Sequence, residues 1–534
     1  MYLQAIRHKF FSRIADEQHS ISIELPPKRG TIFDRNMRVL AVNLNNDSLF
    51  ANAREVKNKR GTSRALSSIL NLKEGFIYAR LLRDKSFVWI KRKITRDESL
   101  AIKKLKLDGI GLIKESKRYY PNRTLACHLL GVVDIDNIGL EGLELYYDRY
   151  LKGESGWLSS AQDARRVLLE SYQDEYIPPK NGFNLVLTID EVIQHIAERE
   201  LLKAYEKYNA KAASIVVMDP RSGDILALAN LPNYDLNSPG TRSNESIRNR
   251  AINDFFEPGS VFKIVTASAA LEEGKVDFGN KFYCENGAYK VGRRVLHDHR
   301  PHGILTFREV IEKSSNIGTV KVAATFGPSA MYKYMRGFGV YDKTGVDLPG
   351  EVQGMNRPLS KWSGVSMLAI PMGQEVTVTA IQLASAISVI ADNGYLVRPR
   401  IVSAVVDENG RAVKEFPPKV MRKVLSPKTA AKMRALLMGV VETGTGKKAK
   451  IEDYHAGGKT GTAQKVEGGT YSHERFIASF IGFAPVEKPE ISVVICVDEP
   501  RPVYYGGDVA APVFKNVADE SLKYLGTKGA KEVI

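Results

Sequence analysis

The sequence predicts an α+β fold that is divided into at least two domains. Its 534 residues exceed what one ordinary hydrophobic core accommodates. Within residues 181–534, strand-like runs stand near both ends and helix-like runs lie between them. This order predicts one sheet whose strands come from distant parts of the chain. The polar, proline-containing stretch Tyr172–Gly182 is predicted to link residues 1–180 to residues 181–534.

Composition narrows the classes of partner. Lys and Arg number 77 against 61 Asp and Glu, which gives a formal net charge of +16. The excess is spread along the chain without an aromatic-basic RNA motif, so a solvated basic surface is favoured over nucleic-acid binding. Such a surface suits anionic partners, for example acidic wall polymers or an anionic membrane surface.

The sequence carries neither a membrane-span signal nor a disulfide pattern. It contains no run of 18 apolar residues and no signal-peptide pattern at its N-terminus. The three cysteines, Cys127, Cys284 and Cys496, are far apart and odd in number, so a disulfide framework is not expected. Cys127 and Cys496 lie in apolar runs and are predicted to be buried thiols.

Residues 1–180 are predicted to form a non-catalytic module. Residues 1–24 indicate a short amphipathic stretch, and the following RGTIFDRNMRVLAVN indicates two strands around a turn at Asp34–Asn36. Residues 61–110 predict two helical segments separated by the strand-like SFVWIKRKI. This half of the chain offers no pair of nucleophile and base.

Residues 181–534 alternate clear strand and helix signals. Asn184–Asp190 predicts a strand whose last residue caps a helix that runs to about Tyr208. The run SIVVMDPRSGDILALAN predicts a β-hairpin, and Thr306 is predicted to start a helix that ends just before Ser314. Ala511–Leu525 predicts a closing helix.

Ser260 and Lys263 form the only Ser-x-x-Lys in the chain. The following IVTASAALEEG predicts a helix, so both residues lie near its N-terminus and on one face. A serine hydroxyl needs a base before it becomes a good nucleophile, and lysine is such a base only when burial or nearby positive charge lowers its pKa. The apolar neighbours Phe255, Phe256, Val261 and Phe262 predict that this helix start is buried.

Two further polar motifs follow in the chain. Ser314-Ser315-Asn316 is the only Ser-x-Asn, and Lys459-Thr460-Gly461-Thr462 comes later. The order Ser-x-x-Lys, Ser-x-Asn, Lys-Thr-Gly resembles that of the penicillin-recognising serine enzymes. The flanks FEPGSVFKI, EKSSNIGTVK and GGKTGTAQ resemble those of class B penicillin-binding proteins of the division-specific, FtsI type. The resemblance covers nearly the whole chain.

This resemblance implies a role for each motif residue. Ser260 is expected to attack a D-alanyl-D-alanine stem peptide, with Lys263 as its base and Ser314 as the proton relay to the leaving amine. Asn316 is expected to hold the peptide amide of the substrate and to orient Lys263. Lys459 is expected to bind the terminal carboxylate of the substrate.

The remaining residues of the Lys-Thr-Gly motif are implied to bind substrate as well. Thr460, Gly461 and Thr462 are expected at the terminal carboxylate, and the backbone N–H groups of Ser260 and Thr462 at the developing oxyanion. No cofactor and no metal is implied.

The family resemblance also implies an architecture and a setting. The expected fold is a five-stranded antiparallel sheet beside a helical lobe, preceded by an elongated pedestal module of the dimerisation type. Expected partners are peptidoglycan stem peptides, β-lactam antibiotics, a membrane glycosyltransferase and other division proteins. Such proteins are anchored by one N-terminal helix and act outside the cytoplasmic membrane; here that anchor is expected to precede Met1.

Three alternatives keep the same motifs. An elongation-type transpeptidase shares them, and so does a serine β-lactamase or β-lactam sensor, although the boxes in residues 1–180 and the chain length oppose the latter. A division scaffold with a vestigial site is the alternative that is not an enzyme.

Other motifs are weaker signals. A second Lys-Thr-Gly, Lys343–Gly345, lies in a turn-rich loop and is not expected to be catalytic. GGKTGT lacks the glycine spacing of a phosphate loop, because Asp453 stands where glycine is needed. His297, Asp298 and His299 with His302 resemble a metal cluster, but no cysteine partner and no HExxH helix accompanies them, and zinc is not expected.

Overall fold

The computed structural model describes residues 20–161, 175–292 and 294–529. Residues 1–19 of the amphipathic stretch predicted over 1–24 and the first three residues of the predicted linker lie outside the described residues, and residues 20–24 belong to a strand.

The strands follow one another as β1 (Ser20–Leu25), β2 (Ile32–Phe33), β3 (Val39–Ala51), β4 (Val88–Lys91), β5 (Ile110–Tyr119), β6 (Gly156–Ala161), β7 (Glu175–Ile177), β8 (Asn184–Leu187), β9 (Ala212–Met218), β10 (Ile225–Leu231), β11 (Phe255–Phe256), β12 (Lys281–Tyr283), β13 (Ala288–Val291), β14 (Arg294–His297), β15 (Ile304–Thr306), β16 (Val378–Thr379), β17 (Tyr395–Val397), β18 (Val402–Val406), β19 (Ala412–Glu415), β20 (Val420–Lys423), β21 (Gly457–Glu467), β22 (Thr470–Ala484) and β23 (Ile491–Asp498).

The α-helices are α1 (Lys59–Leu70), α2 (Glu74–Leu81), α3 (Arg96–Leu105), α4 (Cys127–Leu130), α5 (Gly142–Tyr146), α6 (Asp148–Leu151), α7 (Glu191–Lys207), α8 (Arg250–Asn253), α9 (Lys263–Glu272), α10 (Phe307–Glu312), α11 (Asn316–Ala324), α12 (Gly327–Gly337), α13 (Ser366–Ala369), α14 (Ala380–Ala391), α15 (Pro427–Glu442), α16 (Gly506–Val509) and α17 (Ala511–Tyr524). Short 3₁₀ turns lie at Pro239–Thr241, Gly259–Phe262, Glu285–Gly287, Leu359–Lys361, Ile370–Met372 and Lys447–Ala449.

The central sheet has five strands in the order β10-β9-β23-β22-β21. All four pairings are antiparallel, which confirms the predicted sheet. The predicted hairpin is β9–β10, closed where the Asp219 amide donates to the Asp224 carbonyl over 2.9 Å. Strands from both ends of the second half therefore meet in one sheet, with β10 and β21 as its edges.

Helices cover both faces of the central sheet. Helices α7 and α17 share an apolar cluster with one face, where Phe480 of β22 packs against Phe514. Helix α14 packs against the other face, where Ser388 and Ser492 of β23 share a buried hydrogen bond of 2.8 Å. Both faces are covered, so β9 and β10 are buried throughout their length and read as continuous apolar runs rather than as alternating ones.

A second sheet joins the two halves of the chain. Its order is β19-β18-β8-β2-β3-β4, with β5 also paired to β3. Strand β8 pairs with β2 in parallel, Ile32 opposite Leu185 and Phe33 opposite Val186, and with β18 on its other side. A boundary at residue 180 therefore lies just before β8, a strand that pairs with one strand from each half of the chain. The division into residues 1–180 and 181–534 stays a prediction.

Part of the predicted linker is a strand. Glu175–Ile177 pairs with β6, and β6 pairs in turn with β1. The prediction of an open linker was wrong for these residues because strand pairing uses backbone groups, which the polar and proline-rich composition of the stretch does not reveal.

The segment 61–110 contains three helices where two were predicted. Asn71 ends α1 with φ of 52°, a left-handed conformation that asparagine tolerates, and α2 begins three residues later. Helix α3 starts from a capping box in which Thr95 and Glu98 bind each other's backbone amides. The break at Asn71 was missed because apolar residues continue at helical spacing across it.

A buried ionic cluster holds the N-terminal half together. Glu144 is fully buried and accepts from Arg29 Nε and from Arg118 Nε, each over 2.6 Å. Arg29 also donates to Asp148 Oδ1 over 2.7 Å. Met37 keeps the nearby turn with φ of 64°, although this position favours glycine. These contacts make the Arg29 box structural, as predicted.

Other sequence predictions about burial and helix starts also agree with the structure. Asp190 caps α7 by accepting from the Val192 amide, and the three cysteines are buried free thiols. Among the helices of the described residues, none is both long enough and apolar enough to cross a membrane.

The ionic cluster yields a stability prediction. Glu144→Gln leaves two buried guanidinium groups without their shared carboxylate, so the free energy of unfolding should fall by about 3–5 kcal/mol in urea titrations. The control is Glu154→Gln, which breaks an exposed pair with Lys180 and should leave the unfolding midpoint near that of the wild type. Equal midpoints for the two variants would show that the cluster does not stabilise the fold.

Candidate active site

Ser260 lies in the 3₁₀ turn that leads directly into α9. Its side chain is half-buried. Val261 and Phe262 of the same turn are buried, as the sequence predicted, but Phe255 in β11 before the turn is exposed and the prediction was wrong for it. The turn is held because Gly259, with φ of 56°, donates its amide to the Gly373 carbonyl over 3.0 Å. The nucleophile candidate is thus half-buried, and the hydrogen bond from Gly259 to Gly373 holds the backbone of its turn.

Edge strand β21 passes very close to this turn. A Cβ atom on Gly461 would stand 2.8 Å from Val261 Cγ1 and 2.4 Å from Ser479 Oγ. A Cβ on Gly373 would stand 2.1 Å from the Gly259 carbonyl oxygen. Only glycine fits at either position, so the structure gives Gly461 a packing role that brings the Lys-Thr-Gly strand to Ser260.

Lys263 is fully buried and fixed by three oxygen atoms. Its Nζ lies 2.7 Å from the Ser314 carbonyl oxygen, 2.8 Å from Asn316 Oδ1 and 3.2 Å from Ser314 Oγ. The first two oxygens can only accept, so they take two N–H bonds. The third is a hydroxyl that either donates or accepts. This set of partners therefore suits a neutral amine with its lone pair available.

Ser314 stands between the two motif lysines. Its Oγ lies 3.2 Å from Lys263 Nζ and 2.9 Å from Lys459 Nζ. Ser314 has φ of 58°, an uncommon value for serine, and it follows directly after α10. The strained backbone directs the hydroxyl between the two amines, and one hydroxyl can pass a proton from one lysine to the other.

Burial changes the acidity of both lysines. Desolvation lowers the pKa of Lys263 to about 7, against an opposing effect of the Asp298 carboxylate. Desolvation, together with the charge of Lys263, lowers the pKa of Lys459 well below its usual range. Two ammonium groups so close in a buried site repel each other, so a neutral Lys263 that can accept a proton is available near neutral pH.

Asp298 positions the Ser-x-Asn motif. Its carboxylate accepts from Ser315 Oγ over 2.6 Å, from the Asn316 amide over 2.5 Å and from the Ile317 amide over 3.0 Å. These are the first backbone amides of α11, where an anion is favourable. The sequence singled out this residue only as part of an apparent metal cluster. No local sequence feature shows that Asp298 lies at the start of α11 in the folded chain.

The remaining residues of the Lys-Thr-Gly motif lie in edge strand β21. Thr460 Oγ1 shares a hydrogen bond of 2.8 Å with Thr445 Oγ1, and Thr462 Oγ1 accepts from the Gly506 amide over 3.0 Å. Gly506 begins α16, so this short helix supports the outer side of the strand. Thr445 and Gly506 were not predicted, because each acts from a loop distant in sequence.

The second Lys-Thr-Gly copy lies elsewhere. Thr344 and Gly345 bind the Glu351 carboxylate through their backbone amides, over 2.7 and 3.0 Å, in a loop. Lys343 is exposed. This loop has no strand edge.

The residues of the apparent metal cluster make other contacts in the structure. The His297 carbonyl accepts from Asn316 Nδ2 over 3.0 Å, and His299 packs at 5.2 Å from the Tyr505 ring. No group of three or more histidine, cysteine or acidic side chains suited to a metal ion occurs within the described ranges.

The site geometry can be compared with known proteins. The model of the penicillin binding protein transpeptidase domain matches residues 213–519, and that of the penicillin-binding protein dimerisation domain matches residues 24–187. The first match includes every motif residue named above. The second covers nearly all of the predicted non-catalytic module.

Relatives of known name match along almost the whole chain. Stage V sporulation protein D of Bacillus subtilis is 38% identical, over 100% of this chain and 84% of the relative. Peptidoglycan D,D-transpeptidase FtsI of Escherichia coli is 32% identical, over 96% of this chain and 86% of the relative.

A solved structure extends the match to the fold. Penicillin binding protein 3 of Mycobacterium tuberculosis, in complex with aztreonam, aligns with a TM-score of 0.75 and 28% identity, over 96% of this chain and 99% of that one. The two matched domains, the relatives and the common fold agree with one another. This chain belongs to the class B penicillin-binding proteins.

Proposed function

We propose that this protein is a peptidoglycan D,D-transpeptidase that cross-links stem peptides through an acyl-enzyme on Ser260. The observation that carries the proposal is the Ser314 hydroxyl, which lies between the amines of Lys263 and Lys459 beside the Ser260 turn. The name of the relative FtsI supports the reaction class.

The acylation step follows from this arrangement. Ser260 Oγ attacks the carbonyl carbon between the two D-alanine residues, and its proton passes to neutral Lys263. The bond from that carbon to nitrogen then breaks, and the leaving D-alanine amine takes a proton through Ser314. Asn316, which lies 2.8 Å from Lys263 Nζ, keeps the base in place and receives the substrate amide.

Edge strand β21 receives the substrate. An extended peptide can pair with a strand edge, and the terminal carboxylate would meet Lys459, Thr460 and Thr462. That carboxylate favours the ammonium form of Lys459, whose pKa is lowered in the free protein by burial. The backbone N–H groups of Ser260 and Thr462 are assigned to the oxyanion, where loss of one donor typically costs about 3–4 kcal/mol.

Deacylation distinguishes this function from a β-lactamase. An amine of a neighbouring stem peptide attacks the acyl-enzyme carbonyl and forms the cross-link. A β-lactam, which resembles D-alanyl-D-alanine, acylates Ser260 and stays bound. The structure of a relative in complex with aztreonam supports β-lactam binding here. Rapid hydrolysis of bound penicillin would instead favour the β-lactamase alternative.

The cellular setting is the finer part of the proposal. We assign the protein to the division septum, with a membrane glycosyltransferase and other division proteins as partners, and its catalytic domain outside the cytoplasmic membrane. The motif flanks and the relative FtsI support this assignment. Depletion of the protein in its host should give filaments, whereas rounded cells would favour the elongation-type alternative.

The most direct functional test is covalent labelling. A fluorescent penicillin should label the protein once, and peptide mapping should find the label on Ser260, the sole serine of a Ser-x-x-Lys motif. Ser260→Ala should abolish labelling at unchanged melting temperature. Labelling that persists in Ser260→Ala would mean that another residue is the nucleophile.

The two Lys-Thr-Gly copies allow a matched comparison. Lys459→Ala removes a cation from the substrate edge, so the acylation rate constant should fall by about 10- to 100-fold, the range of a charge-assisted hydrogen bond. Lys343→Ala changes an exposed loop residue and should acylate like the wild type. A slow Lys343→Ala with a normal Lys459→Ala would reverse the assignment.

The acylation rate should depend on pH through Lys263. The base must be neutral, and burial lowers the pKa of Lys263 to about 7, so the second-order rate constant for penicillin should rise through pH 7 and level off above it. Asp298→Asn removes the carboxylate that favours the ammonium form, so the midpoint should shift to lower pH. A flat profile between pH 5 and 9, roughly two units on either side of that value, would rule out this base.

A further inference from the structure

A cavity of about 610 Å³ lies at the edge of the central sheet that is remote from Ser260. Its walls are α7, the end of β10 and the segment 122–128 from the N-terminal half. Strands β10 and β21 are the two edges of the sheet, so four strand spacings, roughly 19 Å, separate this cavity from the substrate strand. The cavity is therefore separate from the candidate active site.

Its size and walls suit a small organic ligand. Cavities of roughly 300–1,000 Å³ commonly hold such ligands. Much of the wall is aliphatic and comes from both halves of the chain, including Leu125 and Leu201 with Leu228 and Leu231. A ligand here would bury an aliphatic part against these side chains.

Glu198 brings a carboxylate into this apolar wall. Its Oε1 accepts from the Ala126 amide and from Gln194 Nε2, each over 2.7 Å. Among the described residues, Oε2 has no hydrogen-bond donor and no cation pairs with this side chain. Glu198 as a whole is half-buried, and desolvation raises the pKa of its carboxyl to about 7.

The other ionisable groups of the cavity wall do not balance the charge of the Glu198 carboxylate. Arg199 donates to Glu200 and to Glu520, so its charge is paired outside the cavity. Glu191 accepts from Asn122 Nδ2 over 2.5 Å. Burial lowers the pKa of His128 to about 4, so this buried imidazole supplies no charge near neutral pH, and His195 is exposed.

We propose that this cavity binds a primary ammonium group on an aliphatic stem, of the size of a lysine side chain. The ammonium would donate to Glu198 Oε2, and the stem would pack on the leucines. One free oxygen suits the point charge of an ammonium better than the two-pronged guanidinium, which needs two acceptors. A hard metal ion needs about six oxygen ligands or more, and the wall offers only the carboxylates of Glu198 and Glu191.

Binding at this position would join the two halves of the chain. Glu198 of α7 already holds the Ala126 amide of the N-terminal half, and the ligand would contact both. A ligand that binds only the folded protein raises the melting temperature with its concentration.

The probe for the test is Nα-acetyl-L-lysine methylamide, with the neutral Nα-acetyl-L-norleucine methylamide as its control. Both are titrated calorimetrically into the full chain after saturation with penicillin, and mass spectrometry first verifies that the active site is acylated. The lysine derivative should bind once and saturably, and the norleucine derivative should bind at least about tenfold more weakly, since it lacks the charge-assisted hydrogen bond.

Two variants localise the binding. Glu198→Gln keeps the shape of the side chain and should weaken the lysine derivative at least about tenfold. Leu202→Trp keeps the carboxylate but fills the cavity and should also remove binding. Glu206→Gln changes an exposed carboxylate on the same helix and should bind like the wild type. Equal affinity of the wild type and Glu198→Gln, or of the two probes, would overturn the proposal, and so would the absence of saturable binding.

Two competitors identify the source of the ammonium. A stem tripeptide ending in L-lysine represents the cell wall, and spermidine represents free polyamines. Displacement of the probe by either one supports the site and assigns its source. The failure of penicillin to acylate Ser260 would count against the proposed function alone, because the two variants report on the cavity directly.

Discussion

The hydrogen bonds of Ser314 Oγ to two buried lysines are the interaction on which the site depends. Water is excluded from both amines, so the protein cannot maintain two full positive charges there without large cost. Burial instead lowers the pKa of Lys263 to about 7 and that of Lys459 well below its usual range. The same hydroxyl links α9, which carries Lys263, to β21, which carries Lys459. The Ser314 hydroxyl therefore both relays protons and connects the helix to the strand.

Several parts of the fold serve this arrangement. The positive φ of Ser314 costs backbone energy, and the Asp298 carboxylate binds the first amides of α11, the helix that follows. Gly373 and Gly461 permit backbone approaches that any side chain would prevent. These contacts come from regions far apart in sequence, so the site exists only once the sheet and the helical lobe have packed together.

Much of this was predictable from the sequence. Ser260 and Lys263 were singled out by residue type and spacing, because the chemistry needs a nucleophile with a tuned base. The roles of Ser314, Asn316 and Lys459 were expected from the resemblance to penicillin-recognising serine enzymes. The hairpin β9–β10 and the Asp190 cap were found because their signals are local. The five-stranded sheet followed from the resemblance and from strand-like runs at both ends of the second half.

What could not be predicted depends on contacts between distant segments. Asp298 looked like a metal ligand, because its true partners, the α11 amides, become neighbours only in the fold. The pairing of β2 with β8 and the strand at Glu175–Ile177 use backbone hydrogen bonds that composition does not encode. The sequence around Glu198 does not predict its position in the cavity wall either, because that position depends on contacts from both halves of the chain.

The central claim is that Lys263 is a neutral amine near neutral pH in the free protein. Carbon-13 NMR of protein labelled at the lysine Cε atoms measures this directly, with Lys263→Met to assign the signal. The account predicts that the Lys263 signal titrates near pH 7. A signal that titrates near the ordinary lysine value of about 10.4 would contradict it.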